Sequence, residues 1–172
     1  GPDHALFTIN PTTGALSFIN APDFEAPQDL GHDNVYEVIV QATDGVSTPD
    51  DQLIRVTVTN VNEAPEIQSN NGGDTGTASA AENTTAVTTV QAADWDAGSV
   101  ITYSIAGGAD AAKFTIDANS GVLTFVSAPD FEHPTDAGAD NVYDVVVKAS
   151  DGSLFDTQAL AVTVTDVNAA PD

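Results

Sequence analysis

Asp3-His4-Ala5-Leu6-Phe7-Thr8-Ile9-Asn10-Pro11-Thr12-Thr13-Gly14 returns further along the chain as Asp110-Ala111-Ala112-Lys113-Phe114-Thr115-Ile116-Asp117-Ala118-Asn119-Ser120-Gly121, 107 positions later. The same offset carries Asp23-Phe24-Glu25 onto Asp130-Phe131-Glu132, Asp33-Asn34-Val35-Tyr36 onto Asp140-Asn141-Val142-Tyr143, and Asp44-Gly45 onto Asp151-Gly152. After a one-residue gap, Asn60-Val61-Asn62 matches Asp166-Val167-Asn168. A fixed period of this length is the mark of a tandem array with one folded unit per period. Residues 66 to 107 have no counterpart in the first copy, so the chain is expected to hold the C-terminal part of one repeat, residues 1–65, and a complete second repeat, residues 66–172.

Within the unit, Val35 to Thr43, Gln52 to Thr59, Val142 to Ala149 and Leu160 to Thr165 alternate apolar and polar side chains and are rich in β-branched residues, the pattern of half-buried strands. Shorter candidates are Phe7 to Asn10, Leu16 to Ile19, Thr77 to Ala81, Val87 to Ala92, Val100 to Ile105, Phe114 to Asp117 and Val122 to Val126, punctuated by Gly, Pro, Asn and Asp. No segment keeps a helical period. Seven strands in the complete copy predict an all-β chain of immunoglobulin-like sandwiches. Thr12-Thr13-Gly14 and Asn119-Ser120-Gly121 are expected hairpin turns. Tyr36 and Tyr143, at the start of the penultimate strand, are expected to tie a sandwich corner to nearby backbone.

Three Lys and Arg against 26 Asp and Glu leave a formal net charge of -23. That excludes a phosphate-seeking surface and with it nucleic-acid partners. An apolar fraction of 41% argues against disorder. There is no Cys to form disulfides, and no apolar run reaches the roughly 20 residues that a membrane helix needs. No leader peptide is visible. Gly1-Pro2 reads either as a scar of tag removal or as native sequence matching Gly108-Ala109, and the start as a cut inside a longer protein.

The acids are ordered. Each copy has Asp-x-Glu after a strand, a terminal Asn/Asp-Val-Asn, and Asp-Gly between its last two strands; the second adds Asp94-Trp95-Asp96. In extended chain that alternate spacing aims two carboxylates the same way. Solvated loop acids are one reading of any single member. The joint pattern favours a divalent ion that relieves their mutual repulsion. Calcium fits best, because it takes six to eight oxygen ligands in irregular geometry, whereas zinc would want His or Cys and the three His here form no ligand pair.

Ala81-Glu82-Asn83, Asp94-Trp95-Asp96, Asp130-Phe131-Glu132, Ala149-Ser150-Asp151-Gly152 and Asp166-Val167-Asn168-Ala169-Ala170-Pro171, in that order, make the chain resemble the cadherin superfamily, in particular its bacterial cadherin-like branch of large surface adhesins, Rap-type rhizobial adhesins among them. The resemblance covers essentially the whole chain. It implies tandem cadherin-like β-sandwiches with calcium at the junctions between repeats. Carried over residue by residue, a central junction would use Asp23, Glu25, Asn60, Asn62, Glu63, Asp94, Asp96 and Asp151. An incomplete second junction would use Glu82, Asp130, Glu132 and Asp166, with Asn168. Asn60 departs from the family pattern, which has Asp there.

The implied function is a rigid calcium-binding spacer or adhesive repeat, extracellular or on a bacterial surface, whose partners are adjacent repeats of the same protein. The alternative is calcium-dependent, lectin-like binding of surface polysaccharide. Trp95 is then the candidate for stacking on a sugar ring, against a competing packing role. The loops Asp29 to Asn34 and Asp136 to Asn141 read as capped turns or as a further sugar or cation site. Another copy of the chain is a third candidate partner: a first repeat lacking strands should leave sheet edges open, to be completed by another chain, by further residues of the parent protein or by end-to-end association. No nucleophile elbow, metal-ligand His pair or phosphate loop points to an enzyme, and no membrane insertion is expected.

Overall fold

The computed structural model describes residues 1–168, so Ala169, Ala170 and Pro171 of the terminal motif lie outside the described residues. The chain divides into two compact units, residues 1–61 and 62–172.

In the first unit, β1 (Phe7–Ile9) and β2 (Leu16–Phe18) form one antiparallel pair, and β3 (Val35–Ala42) and β4 (Asp50–Thr57) form another. The turn between β1 and β2 is closed by Asn10, whose Oδ1 accepts from the N–H groups of Thr12 and Thr13 at 2.9 and 3.0 Å, and Gly14 takes the left-handed φ of 74° that the hairpin requires. Phe7, Tyr36 and Val38 are buried, with Leu6, Leu16, Phe18, Ile54, Val56 and Val58 half-buried around them.

The second unit repeats this arrangement and extends it. β5 (Glu66–Ile67) pairs with β8 (Ala92–Ala93), and β7 (Ala86–Thr89) with β11 (Val122–Phe125), which also carries β10 (Phe114–Ile116). The larger sheet runs β6 (Thr75–Ala81), β13 (Phe155–Thr165), β12 (Val142–Ser150), β9 (Thr102–Gly107), with β6 parallel to β13 and the other pairs antiparallel. The sheets enclose one apolar core containing Val90, Leu123, Val147, Leu160 and Val162. Phe114 stacks on Phe125 at 4.6 Å and both meet Tyr143 edge-on, as Phe7, Phe18 and Tyr36 do in the first unit.

The chain is all-β, as its alternation predicts. The differences are local. The expected strand Val87 to Ala92 is two strands, because at Val90 and Gln91 the chain leaves β11 and crosses to β5; Gln91 C=O accepts from the N–H groups of Gln68 and Ser69. β5 has no counterpart among the expected strands, and the second unit has nine strand segments among the described residues in place of seven. β13 starts at Phe155, five residues before Leu160, because β12 pairs with it from end to end. β4 begins at Asp50 rather than Gln52, and β9 at Thr102 rather than Val100. Two short 3-10 turns, His4–Leu6 and Ala111–Lys113, precede β1 and β10.

Both tyrosines tie a corner. Tyr36 Oη accepts from Gln28 N–H at 3.1 Å and Tyr143 Oη from Thr135 N–H at 3.2 Å. Two glycines mark matching close approaches: a Cβ at Gly1 would lie 2.3 Å from the Glu37 carbonyl oxygen, and one at Gly108 would lie 2.4 Å from that of Asp144.

Candidate metal centre

Glu82 follows the last residue of β6, where pairing with β13 brings it beside the end of that strand, and its N–H donates to Thr165 C=O. The residue is only 4% exposed, and its carboxylate is fixed at both oxygens: Oε1 accepts from Val167 N–H at 2.8 Å and Oε2 from Phe131 N–H at 3.1 Å. These two bonds, the one from Val167 foremost, hold the Glu82 pKa below its ordinary value despite the opposing effects of burial and of nearby Asp130. The next residue, Asn83, turns the chain with a left-handed φ of 61°, a conformation that Asn tolerates better than most residues.

A carboxylate oxygen of Glu82, one of Glu132 and one of Asp166 lie within 4.8 Å of one another. Glu82 is buried, while Glu132 and Asp166 are exposed. This is the fourfold set expected at the second junction, less one. Asp130 is turned to His133, accepting from its N–H at 3.0 Å and meeting its Nδ1 at 3.2 Å. Burial works against ionisation of Asp130, but the hydrogen bonds from His133 outweigh it and lower its pKa. Nothing in the repeat pattern announces that contact, because His133 stands where the first copy has Ala26.

A second group occupies the start of the same unit. Asn62 Nδ2 donates to Asp151 Oδ2 at 2.6 Å and to Glu63 C=O at 3.0 Å; Glu63 N–H donates to Asp96 Oδ2 at 2.9 Å, and Asp96 N–H to Asp94 Oδ1 at 2.9 Å. Asp151 also accepts from Ser153 and Leu154 N–H, and its pKa is lowered, first by Asn62 and then by those two backbone donors. Asp94 Oδ2 is buried without a hydrogen-bond partner, and an unpaired buried carboxylate oxygen is costly. The donor sets at both places are all oxygen, and the orphaned Asp94 oxygen is the kind of atom a hard cation would satisfy.

In the first unit, Asp23 Oδ1 accepts from Glu25 and Ala26 N–H at 3.0 and 3.2 Å, with Glu25 half-buried and Asn60 exposed just past β4. Trp95 does not pack into the fold: 66% of it is exposed. The acidic loops are capped turns. Asp29 accepts from Asp33 and Asn34 N–H, and Asp136 from Asp140 and Asn141 N–H. Burial opposes ionisation of Asp136, and the backbone bonds prevail, setting its pKa below the ordinary value of 3.8.

Sequence reasoning overlooked Asp3 and Asp110, the first residues of the repeated stretch. Each is 5% exposed and bridges two segments, Asp3 accepting from Leu30 and Glu37 N–H, and Asp110 from Ala137 and Asp144 N–H. Their recurrence was the available signal.

The Cadherin domain family matches residues 77–165, more than half of the chain. Human Protocadherin Fat 1 is 32% identical over 175 residues, covering 98% of this chain and 4% of the relative. Among solved structures, Drosophila N-cadherin EC1-4 superposes with a TM-score of 0.64 at 24% identity, covering 94% of this chain and 40% of the other, a likeness of fold. The Protocadherin Gamma B7 extracellular cadherin domains 1-4 give a TM-score of 0.61 at 25% identity, covering 94% of this chain and 39% of the other. The chain thus spans a small part of the curated relative's length.

Proposed function

Because this chain belongs to the cadherin family, we propose that it is an extracellular spacer or adhesive module whose carboxylate groups hold calcium, stiffening its joints with adjacent repeats. The observation that carries the reading is the triad of Glu82, Glu132 and Asp166. Glu82 is held ionised by two backbone N–H groups, and no Lys or Arg is paired with any of the three among the described residues. Three carboxylates so close repel one another, and a divalent cation turns that repulsion into attraction.

At this end of the unit Glu82, Glu132 and Asp166 would be ligands, with Asp130 joining once it releases His133, and a following repeat would supply the rest. At the other end Asn62, Glu63, Asp94, Asp96 and Asp151 are the candidates, to which the family resemblance adds Asp23, Glu25 and Asn60. Calcium would supply charge neutralisation and the missing partner of Asp94 Oδ2. The resemblance to bacterial surface adhesins suggests a cell-surface parent, and the likeness to the extracellular domains of Protocadherin Gamma B7 supports an extracellular setting. Polysaccharide binding has one feature in its favour, the exposed Trp95 ring, and would show as glycan capture that Trp95→Ala abolishes.

Isothermal titration with calcium is expected to give dissociation constants of about 10⁻⁴ to 10⁻³ M, as in extracellular modules. No heat of binding and an unchanged melting temperature across that range would refute the proposal.

A further inference from the structure

Where β11 ends, the second unit has a groove of about 400 Å³. Its walls come from the end of the 3-10 turn Ala111–Lys113, from residues 125–130, and from His133, Thr135 and Tyr143. The first unit has a smaller groove of about 70 Å³ at the matching place, lined by Leu6, Phe18, Pro22 and Tyr36 among others.

The two places differ in charge. Where the first copy has Leu6 the second has Lys113, and where the first has Ala26 the second has His133. The chain has three Lys and Arg and three His against 26 Asp and Glu, so two of the six in one groove are a local reversal of sign. Lys113 belongs to no ion pair among the described residues. The Tyr143 hydroxyl, on a residue 1% exposed, accepts from Thr135 N–H, and its own proton meets no acceptor nearer than Thr135 Oγ1 at 3.5 Å. A buried donor so poorly matched favours an oxygen brought by a ligand.

His133 already holds a carboxylate, for Asp130 accepts from its N–H at 3.0 Å and meets its Nδ1 at 3.2 Å. We propose that the groove binds a sugar acid, one carboxylate on a neutral hydroxylated body, and that Asp130 fills the carboxylate's place until calcium draws it away. Lys113 then supplies charge, His133 the two donors that Asp130 vacates, and Tyr143 its hydroxyl proton. Val126 offers an apolar contact and Ser127 and Thr135 their hydroxyls to the sugar ring. The net charge of -23 opposes polyanions, which favours a ligand with a single carboxylate. The gating rests on the calcium ligation proposed above, whereas the groove itself does not.

The test is an NMR titration of the 172-residue chain with D-glucuronate, read at the amides of Val126, His133 and Thr135, with glucose and acetate as controls. The Asp130 side chain is 56% exposed, so Asp130→Ala empties the place without calcium and without disturbing the core. That variant in chelator is expected to bind glucuronate with a dissociation constant of about 10⁻³ M, about tenfold or more tighter than wild type in chelator. Adding Lys113→Leu and His133→Ala, the residues the first copy carries there, should weaken binding about tenfold or more. Calcium should tighten binding to wild type more than binding to Asp130→Ala. An Asp130→Ala chain that ignores glucuronate, or takes glucose or acetate equally well, would overturn the proposal. Binding by that variant beside a wild type that calcium leaves unmoved would uphold the groove and refute the gating by Asp130.

Discussion

Glu82 is the residue on which the proposed calcium chemistry turns, because it is at once buried, ionised and close to two other carboxylates. Glu82→Gln keeps the shape and one acceptor but removes the charge. Calcium affinity at that end should fall about tenfold or more, measured by titration against wild type. Acid should act similarly. The Glu82 pKa lies below its ordinary value of 4.5, so its contribution to stability is complete above that value and is lost as pH falls through the lower, folded pKa. The depressed Asp29, Asp44, Asp117, Asp136 and Asp151 behave alike. Melting curves should therefore be flat from neutrality to about pH 5 and fall steeply below about pH 4. Asp110 offers a contrast independent of calcium. Asp110→Ala strands two backbone N–H groups, at an expected cost of about 2–5 kcal/mol, and Asp110→Asn, with one acceptor oxygen left, should cost less. That Glu132 and Asp166 stand in acidic motifs was legible in the sequence, whereas Glu82 was indicated by the family resemblance alone, and its approach to the other two depends on the pairing of β6 with β13. The contact of Asp130 with His133 was not legible, since it rests on a residue present in only one copy.

At the scale of elements, the hairpin β12–β13 organises the second unit, and Tyr143 is the link between that hairpin and the loop preceding it. Tyr143→Phe retains the ring against Phe114 and Phe125 but leaves Thr135 N–H without its acceptor. Urea unfolding should show a loss of about 1 kcal/mol with an unchanged m value. β3, β4 and β12 were legible because alternation over eight or more residues has no competing explanation, whereas of β13 only Leu160 to Thr165 alternates clearly enough to be read. The short ones were not. β5 and β8 are two residues each, and the crossing at Val90 and Gln91 depends on where other strands lie, which local alternation does not encode. Trp95 misleads for a related reason: an aromatic side chain suggests packing, yet in the turn between Asp94 and Asp96 it stands exposed.

Taken as two units, the molecule shows the same repeat with unequal support. Among the described residues, Phe7, Tyr36 and Val38 make up the buried apolar core of the first unit, whereas the second buries Tyr143, Val145, Val147, Ala149, Leu160, Val162 and Val164 from β12 and β13 alone. Val40 and Ala42, the matches of Val147 and Ala149, are half-buried and exposed. Each fully buried Val or Leu stabilises by about 1.5–3 kcal/mol, so several such side chains separate units of otherwise matching sequence, and the two should not unfold together. Hydrogen exchange in chelator is expected to release the amides of β3 and β4 well before those of β12 and β13, as units of different opening free energy do. Calcium at about 100 times its dissociation constant should add about 2.7 kcal/mol to the unit that binds it. If that unit is the second, protection of β12 and β13 rises while the gap to β3 widens. A single, simultaneous release of all four strands would show instead that one cooperative structure carries both copies.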